Sequence, residues 1–442
     1  MAFEDELQQR RAQREAMRKQ HLAEHRQLIL RLGIAAAVLV IVAVVIVVMA
    51  MQAPTTPDVP TEPTHAPTEA PTTPPTEAPT VAPTEEPVAS DPTAAPTEPL
   101  PDKTVIHLTA AGDVNVNDTT AALDFELAFR NILPYLSTAD ITTVNFEGNL
   151  IGAPYGSATQ SAPQALMTAL KACGVDLIQM ANSRSITNGL DGLRTTLSAI
   201  RAAGMEPVGA WATEEEAKES GGYTIRVVNG VKLAFVAFTK GMDSMALPAG
   251  SEDCVNVLYE DYATTYQDVD ADKITAVLQR VEKEKPDLTI ALVHWGSEFR
   301  DQISATQEYI LELLLDNGVD AVIGTHPHYV QSLNYDPETG IFVAYSLGDL
   351  LSDGETAGTE YGIILDLEIT KDNYTGVTMI TDYRYTPLFN VRYDDRQLQL
   401  MELHEAIRAY ESGHLHRPSD EMYDDMLYAL TRVEDRVQPI EE

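Results

Sequence analysis

Cysteine is almost missing from this chain, with only Cys173 and Cys254 among 442 residues. Two sulfurs do not make a disulfide framework, and their spacing leaves open whether they pair. Cys173 sits in ALKACGVDLI, a context that predicts burial. Basic side chains are scarce as well. Lys and Arg total 30 against 67 Asp and Glu, a net charge of −37. That balance excludes nucleic acid, or another bare polyanion, as a direct partner unless cations intervene.

Charge disappears altogether from residues 32 to 51, LGIAAAVLVIVAVVIVVMAM. A helix of this length crosses the roughly 30 Å hydrocarbon core of a bilayer. The run is too long for a signal-peptide core and follows a long charged leader, so it predicts a span and not a cleaved signal. Arg10, Arg11, Arg14, Arg18, Lys19 and Arg26 crowd its N-terminal flank, whereas neither Lys nor Arg occurs between Met51 and Lys103. The N-terminus is therefore expected in the cytoplasm and everything after Met51 outside it.

Residues 53 to 101 are variations on Ala-Pro-Thr-Glu, which bury nothing and favour polyproline II. At about 3.1 Å per residue such a stalk reaches on the order of 150 Å. It is a spacer, suited to O-glycosylation and to lifting a domain off a membrane into a cell wall. The chain thus divides into a cytoplasmic charged segment (1–27), a transmembrane helix (28–51), a disordered linker (52–102), a folded domain (103–390) and a helical extension (391–442).

From Thr104 onward, apolar runs of strand length alternate with helix-like segments, the pattern of an α/β domain. Six runs end in a metal-type or acid–base side chain. TVIHLTAAGD ends at Asp113, DITTVNFEG at Glu147, DLIQMANSR at Asn182 to Arg184, DLTIALVHWG at His294, DAVIGTHPH at His326 and His328, and IFVAYSLGD at Asp349. In open α/β sheets that strand edge is where ligands bind. SITNGLDGLRTTLSAIRAAG and SATQEYILELLLDNG carry a 3.6-residue period, stop at glycine and predict crossover helices. Residues 359 to 387 predict two more strands, and the tail from about Asp394 predicts helices.

His326 and His328 are the least ordinary pair. Side chains two apart in an extended segment face the same way, and Pro327 stiffens the link, so the segment predicts neighbouring ligands at a strand end. His107, alternating within its strand, predicts a packed histidine, and His414 and His416 solvated ones. Carboxylates with three imidazoles at one sheet edge suit a borderline divalent ion such as Zn, Mn or Fe. A carboxylate bridging two such ions is the layout of a binuclear hydrolase.

The successive blocks AAGD (110–113), VNFEGNL (144–150), MANSR (180–184), VHWGSEF, GTHPHYVQS and YSLGD resemble those of the CapA proteins over residues 104 to 352. That family takes part in bacterial poly-γ-glutamate capsule synthesis. The resemblance implies a calcineurin-like metallophosphoesterase fold, a layered α/β/β/α domain. It also implies a membrane-anchored, extracytoplasmic protein with an anionic capsule polymer or phosphorylated small ligand, and other capsule-synthesis membrane proteins, as partners. Carried over residue by residue, Asp113 and His328 hold one ion, His294 and His326 the other, and Glu147 lies between, with Asn145 or Asn115 in support.

Two blocks depart from the family pattern. Where the family reads Ala-Asn-Asn-His, this chain has Ala181, Asn182, Ser183 and Arg184; where it reads Gly-Asn-Phe, the chain has Gly348, Asp349 and Leu350. Serine is a poor neutral ligand unless Asn182 or Asp349 compensates, and arginine cannot donate a proton near neutral pH. Arg184 and Asn182 thus become the candidates for whatever catalytic or ligand-binding role the block retains. Active phosphoesterase, one-ion site and metal-free binding module all remain open on sequence.

Overall fold

Along the strand Val231–Thr239, Leu233, Phe235 and Ala237 enter one apolar cluster while Ala234, Val236 and Phe238 enter another. Successive side chains point to opposite faces of a strand, so a run of apolar residues on both parities must be buried on both sides. The same division recurs in the neighbouring strand Leu288–His294, where Leu288, Ile290 and Leu292 lie in the first cluster and Ala291 and Val293 in the second.

The structure, a computed structural model, describes residues 101–394, 397–415 and 419–437. These belong to one compact unit, Leu100–Glu442. The expected cytoplasmic segment, transmembrane helix and nearly all of the linker lie outside the described residues, as does His416. Among the described residues no helix is long and apolar enough to cross a membrane.

Two sheets form the centre. The first is built from β1 (Lys103–Asn115), β2 (Ile141–Glu147), β3 (Leu177–Gln179), β4 (Glu206–Val208), β11 (Asp349–Leu351), β12 (Tyr361–Asp372), β13 (Thr378–Asp394) and β14 (Gln397–Glu402). Its order is β14-β13-β12-β1-β2-β3-β4, with β11 paired to β1. The second contains β5 (Thr224–Val228), β6 (Val231–Thr239), β7 (Leu288–His294), β8 (Ala321–Thr325), β9 (Leu333–Asp336) and β10 (Ile341–Ala344), in the order β5-β6-β7-β8-β10-β9. The helices Ala271–Glu284 and Ala305–Asp316 bury Ile274, Val277, Leu278, Ile310 and Leu314 in the second cluster, against the second sheet. Both predicted crossover helices form, as Gly189–Ala202 and Ala305–Asp316, the latter opened by a capping box of Ser304 and Gln307.

The tail corrects the sequence reading. Gln397–Glu402 is not helical but the edge strand β14, antiparallel to β13. Its Leu398 and Leu400 are buried while Gln397 is exposed, a period of two that a helix-rich neighbourhood concealed. The helices begin only at Leu403–Glu411 and Asp420–Val437. Cys173 and Cys254 are both buried free thiols. His107 is half-buried, its Nδ1 lying 2.8 Å from Asp366 Oδ1 on β12; His414 is exposed.

Candidate metal centre

The parallel strands of the first sheet deliver their last residues to one edge. Asp113 is in register with Asn145 of β2 and Asp349 of β11, and Asn115 with Glu147. Gly112 makes this possible: a Cβ there would lie 1.8 Å from Gly348 O, whose carbonyl accepts the Asp113 N–H at 3.0 Å. In the second sheet His294 ends β7 in register with Thr325 of β8. The two edges face each other, and the five predicted ligands Asp113, Glu147, His294, His326 and His328 converge in one buried cluster. Glu147, His294 and His326 offer donor atoms within 4.8 Å of one another, as do Asp113, Glu147 and His328.

His326 and His328 reach their places by a route other than the one predicted. Neither is extended: their φ values are +91° and +58°. Left-handed backbone at a non-glycine residue costs on the order of 1–3 kcal/mol and persists where surroundings over-determine it. Here the His326 N–H donates to Asp113 Oδ2 at 3.1 Å, and the Phe299 N–H to Pro327 O at 2.9 Å. The chain coils around Pro327 and sends the two imidazoles to different halves of the cluster. His326 lies 4.4 Å from the His294 ring between centroids, and His328 sits beside the carboxylates, its Nδ1 2.8 Å from Asp349 Oδ1 and 3.4 Å from Asp113 Oδ2.

Asn145 braces the centre, its Nδ2 donating to Asp113 Oδ1 at 2.6 Å and to Glu147 Oε1 at 3.3 Å. Asn182 stands behind it. Its amide donates to Asn145 Oδ1 at 3.0 Å and Phe146 O at 2.8 Å, and its Oδ1 accepts from the Arg184 N–H. Asn182 is thereby a brace for Asn145. Ser183 is the residue of that block that meets the cluster, its Oγ 3.1 Å and its N 3.2 Å from His294 Nε2. Arg184 turns outward, its guanidinium paired with Asp243.

The electrostatics are those of a buried cluster of carboxylates and imidazoles. Burial above all raises Glu147 to about 8 and Asp113 to about 6, with Asp113 and Asp349 adding to the rise at Glu147, Asp349 to that at Asp113, and His328 opposing both. Burial and neighbouring positive groups hold His294 and His326 well below 6.5. Burial also pulls His328 down, but Asp349, Glu147 and Asp113 outweigh it and the ring stays charged well above 6.5. His326 Nδ1 is buried with no hydrogen-bond partner. Such an orphaned ring nitrogen costs about 1–3 kcal/mol unless something accepts its lone pair. A neutral His326 with an unshared lone pair and a neutral His294, facing carboxylates that resist ionisation, make a donor set that a divalent cation satisfies.

Sequence reasoning missed Lys240, Asp243, Tyr266 and Glu298, which line a cleft of about 200 Å³ with Ser183 and His326. Lys240 was findable, since β6 ends one residue before it by the same rule that located the ligands.

The profile described as "Bacterial capsule synthesis protein PGA_cap" matches residues 107–354, more than half the chain. The chain belongs to this family. The matched span holds all five clustered residues. The capsule biosynthesis protein CapA of Bacillus anthracis is 26% identical over 283 residues, covering 62% of this chain and 66% of that protein. The PGA biosynthesis protein CapA of Bacillus subtilis is 26% identical over 230 residues, covering 49% and 54% respectively. The chain thus spans between about half and two thirds of the length of these PGA_cap relatives. Among solved structures, a calcineurin-like phosphoesterase, YfkN of Bacillus subtilis, covers 76% of the chain at 16% identity and a TM-score of 0.38, too slight a likeness to argue from.

Proposed function

We propose that this protein is a capsule-synthesis component fixed in a bacterial membrane by residues 28–51, with its N-terminus cytoplasmic and its PGA_cap domain outside. There it acts in the synthesis, export or attachment of an anionic polymer of the poly-γ-glutamate type, beside other membrane proteins of the capsule system. The calcineurin-like metallophosphoesterase architecture belongs to this proposal, as does a metal centre of one or two divalent ions.

The observation that carries the reading is that Glu147 belongs to both donor groups. Asp113, Glu147 and His328 would hold one ion, and Glu147, His294 and His326 the other. Two carboxylates and three imidazoles favour Mn, Zn or Fe over Ca or Mg. When bound, such ions supply Lewis-acid polarisation of a phosphoryl or carbonyl oxygen and a lowered pKa for water. The chain's own residues do the rest. Asn145 fixes the orientation of both carboxylates, Ser183 holds His294, and Asp349 holds His328. Arg184 presents positive charge at the rim for an anionic ligand.

The test is metal content and turnover in one preparation. Purified without chelator, the protein should carry two divalent ions and hydrolyse a generic phosphate ester, with turnover lost in His326→Ala. A second reading, a binding module without turnover, is favoured by one feature. The position where the family pattern has histidine carries Arg184, already paired with Asp243, which cannot give up a proton to a leaving oxygen. Bound ions without hydrolysis would select that reading; a protein retaining no metal would overturn the metal centre.

A further inference from the structure

Lys240 follows β6 directly, and its backbone N–H donates to His294 O at 2.7 Å, which ties it to the metal cluster's second-sheet edge. Its side chain is half-buried in the cleft that Ser183 and His326 also line. One of its three ammonium donors goes to Gly296 O at 2.7 Å, and the charge lies 4.9 Å from the centroid of the Tyr266 ring. Among the described residues, no carboxylate comes within ion-pair distance of it: Glu298 and Asp243 act on it only from farther away, and Asp243 is itself paired with Arg184. A partly desolvated cation with one backbone acceptor and donors to spare is costly unless a ligand completes it.

The wall that presents Lys240 is also strained. Tyr266 and Asp243 hold φ values of +55° and +49°, a left-handed backbone that is a true outlier for a bulky side chain such as tyrosine. Gly241, two residues before Asp243, has no room for a Cβ, which would fall 2.4 Å from Tyr262 O and 2.6 Å from the Tyr266 ring. Strain of this kind collects at ligand clamps.

We infer that Lys240, carried over Tyr266 and next to Ser183, forms an oxyanion subsite that holds the anionic group of the ligand and sets its position relative to His326. This deepens the preceding proposal and rests on its reading of the cleft as the place where ligand binds. Two sources carry the required chemistry, a phosphoryl group and a carboxylate of a γ-linked glutamyl chain.

Binding of inorganic phosphate and of γ-glutamylglutamate to the purified protein, with and without added Mn²⁺, separates them, with metal content measured in parallel. Lys240→Met should weaken at least one probe tenfold or more, Lys240→Arg should retain most of the affinity, and both variants should keep the wild-type metal content. The probe that loses more names the source. Unchanged affinity for both probes in Lys240→Met, or no binding of either to the wild type, overturns the inference. A protein that binds no metal yet loses phosphate affinity in Lys240→Met overturns the metal centre and keeps the subsite. If Lys240→Met does not fold, Lys240→Gln takes its place: a tenfold or greater loss for at least one probe supports the inference, and unchanged affinity for both overturns it.

Discussion

The ring of Phe299 lies on the ring of His328, with centroids 5.5 Å apart and planes inclined by 25°. Phe299 is itself held at a φ of +56° in the loop that follows β7. Two residues later Asp301 receives Arg432 at 2.7 Å and Arg436 at 2.8 Å, both from the C-terminal helix Asp420–Val437. Arg436 also donates to Val330 O at 3.1 Å and lies over the Tyr329 ring. The C-terminal helix therefore grips the loop that packs against His328.

Arg436→Ala should accordingly lower stability by about 1–3 kcal/mol, because it leaves a buried carbonyl and a carboxylate short of a donor. Asp301→Ala should cost less, roughly 0–1 kcal/mol, since Asp301 is a third exposed. Urea unfolding checks both. Chelator competition should show metal affinity reduced on the order of 10-fold in Arg436→Ala, the effect expected when support behind a ligand is removed.

Sharing of Glu147 makes a sharper test by substitution. Glu147→Gln should remove both ions, whereas His326→Ala should remove the one held with His294 and leave the one held by Asp113 and His328. Elemental analysis after dialysis reads this directly, and two ions retained in Glu147→Gln would place the metal elsewhere.

The pH dependence of the metal-stripped protein has a defined sign. Glu147, raised from 4.5 to about 8, binds more protons folded than unfolded across that interval, so stability falls as pH rises through it. His328, raised well above 6.5, contributes stability below 6.5 that is lost as pH climbs through its folded value. His294 and His326, held well below 6.5, work in the opposite sense but have finished by about pH 7. Between about pH 7 and 8.5 stability should therefore fall, by at most about 1.4 kcal/mol per pH unit for each proton released. Added Mn²⁺ should reverse the slope, because metal binding strengthens as its ligands deprotonate. Denaturant midpoints at a series of pH values measure both.

Gly112→Ala should be among the most damaging single changes, at about 1–3 kcal/mol or more, since the new methyl meets the Gly348 carbonyl 1.8 Å away. Because Asp113 hydrogen-bonds that same carbonyl, metal content should drop with the urea midpoint.

Restoring the family's block by Ser183→Asn with Arg184→His should improve metal retention, given that Ser183 already stands against His294. Lower metal content in the double variant would show that this block has been matched to the wrong positions of the family pattern. Arg184→Ala alone should weaken binding of anionic ligands.

Much of this molecule was legible in one dimension. Strand ends are marked by short apolar runs, and because parallel strands deposit their C-terminal residues on one edge of a sheet, six strand-end blocks could be named as candidates from position, while the resemblance to the CapA proteins singled out Asp113, Glu147, His294, His326 and His328 among them. Helix Ala305–Asp316 announced itself through its period and the glycine that follows it. Less legible were residues whose role depends on a neighbour distant in sequence. Asn182 looks like a ligand in its block and turns out to brace Asn145, because its amide is used up on the β2 backbone and side chain. Gln397–Glu402 looks helical because helices follow it, and becomes a strand because β13 offers an open edge.

The sequence by itself determined the order of the elements, the residue types of the centre and the family, since each rests on local pattern and local chemistry. Tertiary structure alone decided how His326 and His328 divide between two halves of one cluster, that Ser183 faces it while Arg184 turns away, and that Lys240 shares its cleft. Those facts depend on backbone held at positive φ and on two sheet edges meeting, and a contact between segments a hundred or more residues apart leaves no periodic trace in either.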